Sequence, residues 1–374
     1  MAARVLKAAV PGVVAGILAL ATAWAGWMHL GPARTLGIAA IVAAYACLEL
    51  YVRLSDPSWA DVFRRYRIWA VLVAAYCVCL VYSEAFRSLG TLPSVMHQMS
   101  IKGILALGMT VVIISGGIDL SVGAVLALAG CFAASAVKFH GASALSAILV
   151  ALFFGLLAGS VSGGIIAKGR IQPFIVTLAM MTAARGFAHW LTGGQPVVID
   201  YQAAPAAFMA IGSKTFTVPG TEKTEVALAA ILFIVLAILV GLLLSRSTFG
   251  RHVYAIGGNE EAAALSGVNV SWRKVQVYTL AGLLSAVAAL VAITRAGVAN
   301  HGLGLTYELD AIAGAVIGGT ALSGGVGMMS GTVAGVLLLG MLQKVLNLQG
   351  VPDYYQDILR GAIIVGAVLM ARRR

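Results

Sequence analysis

Long apolar blocks alternate with short polar stretches along most of this 374-residue chain. Each block is close to the roughly 20 residues that an α-helix needs to cross the ~30 Å hydrocarbon core of a bilayer. The pattern predicts an all-α, polytopic transmembrane helical bundle of twelve spans. The predicted spans are 8–30, 35–53, 68–87, 94–115, 119–138, 142–167, 173–193, 226–245, 275–297, 308–323, 328–347 and 353–371.

Two of these spans, 119–138 and 308–323, begin beside acidic residues and adjoin glycine-rich stretches. Such sequences also fit broken or re-entrant helices, which membranes tolerate where the irregular backbone is buried in protein. The pattern leaves open whether these two helices are continuous.

Composition indicates that lipid is the solvent for most of the chain. Hydrophobic residues occupy 60% of positions and charged residues 10%, against about 25% charged in a soluble domain. The 44 glycines fit the close helix packing of membrane proteins. The four cysteines lie inside apolar blocks without metal-ligand spacing, so we expect small core residues and no metal site at Cys47, Cys77, Cys79 and Cys131.

The net charge of +11 comes from Lys and Arg residues that lie between the apolar blocks. A nucleic-acid-binding protein would gather them on one face, so we predict that they set membrane topology and that no nucleic acid is bound. With both termini in the cytoplasm, fifteen fall on the cytoplasmic side and six on the other, as the positive-inside rule requires. Residues 372–374 then form a basic cytoplasmic tail.

The first apolar block has a second interpretation. Arg4 and Lys7 precede an apolar run that contains Ala21-Thr22-Ala23, which is also the arrangement of a cleavable signal peptide. Cleavage would leave the direction of every later span unchanged, so the charge pattern does not distinguish the two.

The longest predicted external segment runs from 194 to 225, and we expect Pro196, Pro205 and Pro219 to break any helix there. It could receive a solute-delivering partner or simply connect two spans.

The predicted cytoplasmic loop 246–274 contains the signals of a short helix of about two turns. Asn259 is a good N-cap, Glu260 and Glu261 complement the helix dipole in the first turn, and Gly267 fits the C-terminal cap. Such a helix is either a connector at the membrane surface or a coupling helix that docks into a cytoplasmic motor.

Four long motifs, in order, resemble those of ribose/xylose/galactose-type ABC permeases. They are ILALGMTVVIISGGIDLSVG at 104–123, KGRIQPFIVTL at 168–178, the glycine-rich loop 245–268, and YELDAIA at 307–313 with its continuation through 318–320 and 323–327. Together they cover roughly residues 68–371.

This resemblance implies a type II ABC importer-like fold in which the last ten predicted spans, residues 68–371, form the family core. Residues 1–67, with two apolar spans, are then an N-terminal extension. The resemblance further implies an inner-membrane permease homodimer that receives a monosaccharide or related polyol from a periplasmic sugar-binding protein. Two cytoplasmic ATP-binding-cassette ATPases would hold ATP and Mg²⁺, so this chain itself would need no cofactor.

The resemblance also assigns the ATPase-coupling role to the cytoplasmic loop. The residues concerned are Gly250, Arg251, Gly257, Gly258, Asn259, Glu260, Glu261 and Gly267. The chain departs from the family pattern at Gln343-Lys344, where two asparagines are usual, and at Ala299-Asn300-His301, so the identity of the sugar stays open.

Polar residues at membrane depth are functional candidates, because they are costly there unless they face a cavity, a partner or a turn. Asp119, with Ser121 after it, either caps a broken helix or lines the solute path, and Asp310 with Glu308 presents the same choice. Planar hydrogen-bonding and aromatic side chains bind sugars, but they also bond neighbouring helices. The further candidates for the solute path are Gln98, Gln172, Asn300, His301 and Tyr307.

Arg185 and His189 lie four residues apart, so they share one face of a helix as a polar stripe. We expect His189 to be an interfacial residue rather than a proton carrier.

The sequence contains no P-loop, nucleophile elbow or paired metal-ligand motif, so we predict a transport subunit rather than an enzyme. The alternative is a proton-coupled secondary sugar transporter built from two related halves. Against it, the halves share no repeated motif, and the largest cytoplasmic loop follows the eighth span rather than the sixth.

Overall fold

The computed structural model describes residues 57–88, 90–217 and 225–371. Within these ranges it contains thirteen α-helices, a short 3₁₀ helix (Glu84–Arg87) and two small antiparallel strand pairs. Residues Pro93–Val336 form one compact unit, and the described residues on either side of them belong to a second. Several predictions lie outside the described residues: the spans 8–30 and 35–53, the signal peptide, Cys47, Pro219 and the tail 372–374.

The helices follow the apolar blocks. In chain order they are α1 (Pro57–Tyr82), α2 (Thr91–Ile114), α3 (Val122–His140), α4 (Ala144–Gly169), α5 (Pro173–Thr192), α6 (Ala206–Ser213), α7 (Leu228–Arg246), α8 (Thr248–Gly258), α9 (Glu260–Leu265), α10 (Val270–Ala296), α11 (Tyr307–Ile317), α12 (Met329–Leu348) and α13 (Asp353–Ala371). The strands are β1 (Val197–Val198), β2 (Thr215–Thr217), β3 (Glu225–Ala227) and β4 (Val298–Ala299).

Seven described helices are long and apolar enough to cross a membrane: α2, α3, α4, α5, α7, α10 and α12. Each matches a predicted span to within about five residues. In α1 the apolar part is shorter, Ile68–Val81, and the helix continues without a break through the predicted domain boundary at residue 67. The prediction of a polytopic helical membrane protein is confirmed.

The two doubtful spans have different outcomes. Residues 122–140 form one continuous helix, α3, which starts after the Asp119 turn. The predicted span 308–323 is not one continuous helix, because α11 has 11 residues and ends at Ile317. At 1.5 Å per residue it covers about 17 Å, roughly half of the hydrocarbon core.

Glycines bring α4 and α10 into backbone contact. Gly155, Gly159 and Gly163 recur every fourth residue on the face of α4 that meets α10. A methyl group added at Gly159 would overlap the carbonyl oxygen of Tyr278 and the Cα of Thr279. This is the small-residue packing by which helices associate in lipid, where no hydrophobic force favours association.

Glycines also bring the end of α11 into backbone contact with α12. The carbonyl oxygen of Gly314 lies where a side chain at Gly335 would be, and the carbonyl oxygens of Gly318, the C-cap of α11, and of Gly331 lie where each other's side chains would be. Larger side chains at these positions would force the two backbones apart.

The outward faces of α4, α5 and α7 carry large exposed apolar side chains, as lipid-facing helices do. They include Leu149, Phe153, Leu157, Phe174, Ile175, Phe187, Val235, Ile238 and Leu242.

The long segment after α5 is more ordered than its prolines predicted. Pro196 lies outside any helix, as expected, but the expectation that Pro205 excludes a helix is wrong: Pro205 occupies the N-cap position of α6, where its missing N–H removes no intrahelical hydrogen bond. Phe208 and Met209 of α6 are buried. The same segment contributes β1, which pairs with β4, and the first strand of the β2–β3 hairpin.

Candidate functional site

The turn between α2 and α3 is built around the carboxylate of Asp119. Its Oδ1 accepts hydrogen bonds from the backbone N–H of Ser121 at 2.8 Å and from the Ser121 hydroxyl at 2.6 Å. Both residues are buried. This geometry closes the turn just before α3 begins, which agrees with the capping interpretation of Asp119.

The motif at 168–178 makes hydrogen bonds to the same turn through Thr177 of α5. The Thr177 hydroxyl on α5 accepts a hydrogen bond from the Leu120 N–H at 3.2 Å and donates to the Ile118 carbonyl at 3.3 Å. The motifs at 104–123 and 168–178 therefore meet in space. Gln172 lies at the start of α5, where its side chain is exposed and makes no capping bond.

Three glycine-rich stretches from distant parts of the chain meet at the end of α2. The N–H of Gly325 donates a hydrogen bond to the carbonyl of Ile114 at 2.9 Å. A methyl group added at Gly257 on α8 would overlap both of these backbone groups. One added at Gly324 would meet the backbone of Gly116 and Gly257. The motif at 245–268 thus contacts the first and last motifs directly, an arrangement that sequence spacing alone did not reveal.

The predicted helix in loop 246–274 is present, with the expected caps. The side chain of Asn259 accepts a hydrogen bond from the Ala262 N–H at 2.9 Å, and this N-cap begins α9. Gly267 has a φ of +85°. Its N–H bonds the Ala264 carbonyl while the next N–H, of Val268, bonds Ala263, which is the Schellman arrangement.

The sequence interpretation missed a second helix in this loop. Residues 248–258 form α8, which Ser247 caps by accepting a hydrogen bond from the Gly250 N–H at 3.2 Å. Two terminal glycines and Gly250 argued against a helix there. In the structure Gly250 and Gly257 serve packing, since a methyl group at Gly250 would overlap the backbone of Leu244 and one at Gly257 that of Ile114. We call α8 and α9 together the α8–α9 segment.

The α8–α9 segment is anchored on one side and exposed on the other. Tyr254 donates a hydrogen bond to the Gly327 carbonyl at 2.8 Å, and burial raises the pKa of its hydroxyl, so it stays protonated. Glu260 pairs with Lys274 at 2.7 Å. Glu261 is exposed, as is the apolar side chain of Leu265, at 84%.

Lys102, which the sequence interpretation overlooked, forms an ion pair inside the bundle. Its Nζ lies 2.6 Å from Oδ2 of Asp310, and the two side chains are 17% and 7% exposed. The same ammonium lies 5.3 Å from the centroid of the Tyr307 ring, within cation–π range. A lysine inside an apolar span is the signal that could have identified it.

The predicted polar stripe of α5 reaches the loop before α11. Arg185 donates hydrogen bonds to the carbonyls of His301 at 2.8 Å and Leu303 at 3.3 Å. The ring of His189 meets that of His301 edge to face, with centroids 4.6 Å apart. Glu308, in the first turn of α11, lies close to Gly123 of α3.

The remaining candidates are placed as follows. Gln98 is half-buried one turn before Lys102 on the same face of α2. Asn300 is half-buried directly after β4. Of the predicted site residues, Asp119 and Ser121 share one turn, Tyr307 and Asp310 lie beside Lys102, and His301 lies beside Arg185 and His189. Among the described residues, no group of three or more His, Cys, Asp or Glu side chains could hold a metal ion.

Comparison with known proteins identifies the class of protein. Residues 91–368 match the family described as branched-chain amino acid transport system / permease component. The ribose import permease protein RbsC of Escherichia coli K12 is 41% identical over 304 residues, which cover 81% of this chain and 92% of that protein. No solved structure matches the chain.

Two further relatives are named as permeases for other sugars, xylose and L-arabinose. The xylose transport system permease protein XylH of Escherichia coli K12 is 34% identical over 358 residues, covering 81% of this chain and 91% of that protein. The L-arabinose transport system permease protein AraH of the same strain is 33% identical over 327 residues, covering 85% and 93%.

The fold and these matches define a multi-pass membrane permease, a transport subunit rather than an enzyme. The chain belongs to the branched-chain amino acid transport system / permease component family, and within it resembles the membrane subunits of ABC sugar importers. This assignment decides against the proton-coupled alternative.

Proposed function

We propose that this chain is the inner-membrane permease of an ATP-driven monosaccharide importer, with ribose as the first candidate substrate. The observation that carries the proposal is the 41% identity that extends over 92% of a ribose import permease. Matches to arabinose and xylose permeases at 33% and 34% make other pentoses the next candidates.

The solute would pass along α2, α5 and α11. These helices carry polar side chains in otherwise apolar surroundings, namely Gln98, Lys102, Arg185, Tyr307 and Asp310. An ionisable residue at membrane depth marks a solute pathway more often than a lipid-facing surface. The half-length of α11 supports this path, because broken helices in transporters border a cavity.

A cytoplasmic ATPase would dock on the exposed side of the α8–α9 segment, where Arg251, Glu261 and Leu265 are accessible. The buried side of the segment contacts Ile114 and Gly325. Movement caused by ATP binding in the ATPase would therefore pass through direct backbone contacts to the end of α2 and to the turn after α11.

The complete importer would contain two copies of this permease, two ATPases that hold ATP and Mg²⁺, and a periplasmic sugar-binding protein. Twelve spans, with both termini in the cytoplasm, agree with the distribution of Lys and Arg. In that topology α11 and the turn after it fill one crossing together.

Reconstitution tests the proposal. The permease, with the ATPase and binding protein encoded beside it, is placed in liposomes and supplied with labelled ribose, arabinose or xylose. We expect uptake that requires ATP and the binding protein and that is indifferent to an uncoupler. Uptake that an uncoupler abolishes, or that ATP does not stimulate, would contradict it.

A single substitution tests docking at the α8–α9 segment. Glu260 already pairs with Lys274 inside the chain, so Glu261→Arg is the cleaner change because Glu261 is exposed. We expect normal membrane insertion but loss of ATPase co-purification and of uptake. Glu225→Arg, at an exposed position in β3 outside the α8–α9 segment, is the control for ATPase docking and should leave ATPase co-purification unchanged.

A further inference from the structure

We infer that Lys102 is a positioning residue for transport: through its ion pair with Asp310 it fastens α11 to α2, so that movement of the α8–α9 segment is transmitted to the solute path. This inference rests on the proposed function. It concerns how the chain transmits the movement, whichever sugar is carried.

The ion pair is nearly closed off from solvent. Nζ of Lys102 and Oδ2 of Asp310 are 2.6 Å apart, with side chains 17% and 7% exposed. In such surroundings each ion is stabilised by the other, because an ion left buried without its partner keeps its full desolvation penalty. The pair therefore holds the two helices in one relative position.

A second fastening lies at the end of the same helix. Ile114 is twelve residues after Lys102 on α2, about 18 Å along the helix axis. Its carbonyl accepts the hydrogen bond from the Gly325 N–H in the turn that follows α11. The segment from Tyr307 to Gly325 is thus attached to α2 at two levels.

The α8–α9 segment contacts the attachment at Ile114 and Gly325. Gly257 lies against Ile114 and Gly325, and Tyr254 bonds Gly327. A displacement of α8 consequently acts on both attached elements at that level. The ion pair then carries the displacement to the level of Lys102 and Asp310, so that α2 and α11 move together there.

The start of α11 needs an external restraint. Thr306, at its N-cap position, has a φ of +66° and makes no side-chain capping bond. A β-branched residue in this left-handed region is strained. The ion pair of Lys102 with Asp310 keeps the first turn of α11 in place against that strain. It also keeps Tyr307 in place, whose ring lies beside the Lys102 ammonium.

The test compares four variants in the reconstituted importer: Lys102→Met, Lys102→Arg, the neutral double variant Lys102→Met with Asp310→Asn, and the control Lys138→Met. Lys138 is an exposed lysine at the end of α3. The readouts are the sugar transported per ATP hydrolysed and the midpoint of thermal unfolding of the purified permease.

We expect Lys102→Met to unfold at a lower temperature and to transport about tenfold less sugar per ATP, the size of a typical coupling between sites. The double variant should regain thermal stability, since no unpaired charge is left, while its sugar-to-ATP ratio stays low. Lys102→Arg and the control should keep the normal ratio.

A double variant with the normal ratio would overturn the inference, because the pair would then serve folding alone. So would a Lys102→Arg variant that is as uncoupled as Lys102→Met. An unmodified importer without ATP-driven sugar uptake would instead contradict the proposed function, so the two failures are distinguishable.

Discussion

The hydroxyl of Tyr254 donates a hydrogen bond to the backbone carbonyl of Gly327 across 73 residues of sequence, at 2.8 Å. This bond joins the motif at 245–268 to the last of the four family motifs. It lies beside the glycine contacts at Ile114, so both interactions hold α8 against the same end of α2.

Tyr254→Phe removes this bond and keeps the ring. We expect the free energy of unfolding to fall by about 1 kcal/mol, which is a factor of about five in the folding equilibrium constant. We also expect less sugar to be transported for each ATP hydrolysed. Tyr355→Phe, at an exposed tyrosine of α13, is the control. Equal ratios for both variants would mean that the bond has no part in coupling.

Gly257→Ala should disrupt the contact between α8 and α2, because its methyl group overlaps the Ile114 carbonyl and the Gly325 amide. Overpacking of this kind costs about 1 to 3 kcal/mol. Gly186→Ala on α5, which also has nothing within 4 Å of the new methyl group and lies outside the coupling segment, is the control. We expect ATP-driven uptake to fall for the first variant and to persist for the second. Uptake that falls equally in both would count against the contact.

Gly159→Ala should weaken the packing of α4 on α10, since the methyl group overlaps the Tyr278 carbonyl. Gly164→Ala, five residues later on the same helix, meets open space. Thermal unfolding in detergent should show a lower midpoint for Gly159→Ala, again for a cost of about 1 to 3 kcal/mol, and little change for Gly164→Ala. Similar midpoints would indicate that α4 and α10 can separate without penalty.

Asp119 can be assigned to capping or to the solute path by two substitutions. Asp119→Ala removes the acceptor for both bonds from Ser121 and should cost about 1 to 3 kcal/mol. Asp119→Asn keeps an acceptor oxygen in the same place. If the side chain only caps, the Asn variant should transport normally. A stable Asn variant without uptake would show that the charge itself is required.

Asn259→Ala should destabilise α9 by about 1 kcal/mol, because the Ala262 N–H loses its acceptor. Asn259→Asp retains the acceptor and should behave like the unmodified chain. Limited proteolysis of loop 246–274 in membrane vesicles compares the two. Equal cleavage rates for the Ala and Asp variants would show that the cap adds nothing.

The sequence predicted best where a local rule determines the structure. Apolar length located the seven helices long enough to cross a bilayer, and cap residues located α9, including the left-handed Gly267. Both depend on interactions within a few residues. The same local rules failed at α8, since Gly250 and Gly257 disfavour a helix unless close backbone contacts compensate.

The site was harder to predict because its members come from distant segments. Asp310 and Tyr307 were candidates by residue type, but their partner Lys102 lies more than two hundred residues earlier. Likewise, nothing in the spacing of Gly116, Gly257 and Gly324 shows that they meet. Periodicity and composition describe one helix at a time, whereas these contacts depend on how several helices pack.

The pairing of β1 with β4 has a consequence for biogenesis. Val197 and Ala299 are in register although about one hundred residues separate them, and α6 to α10 lie between the two strands. A ribosome releases β4 only after all of those helices have been synthesised. This strand pair can therefore form only after α10 has been made, so this part of the fold is completed late in synthesis.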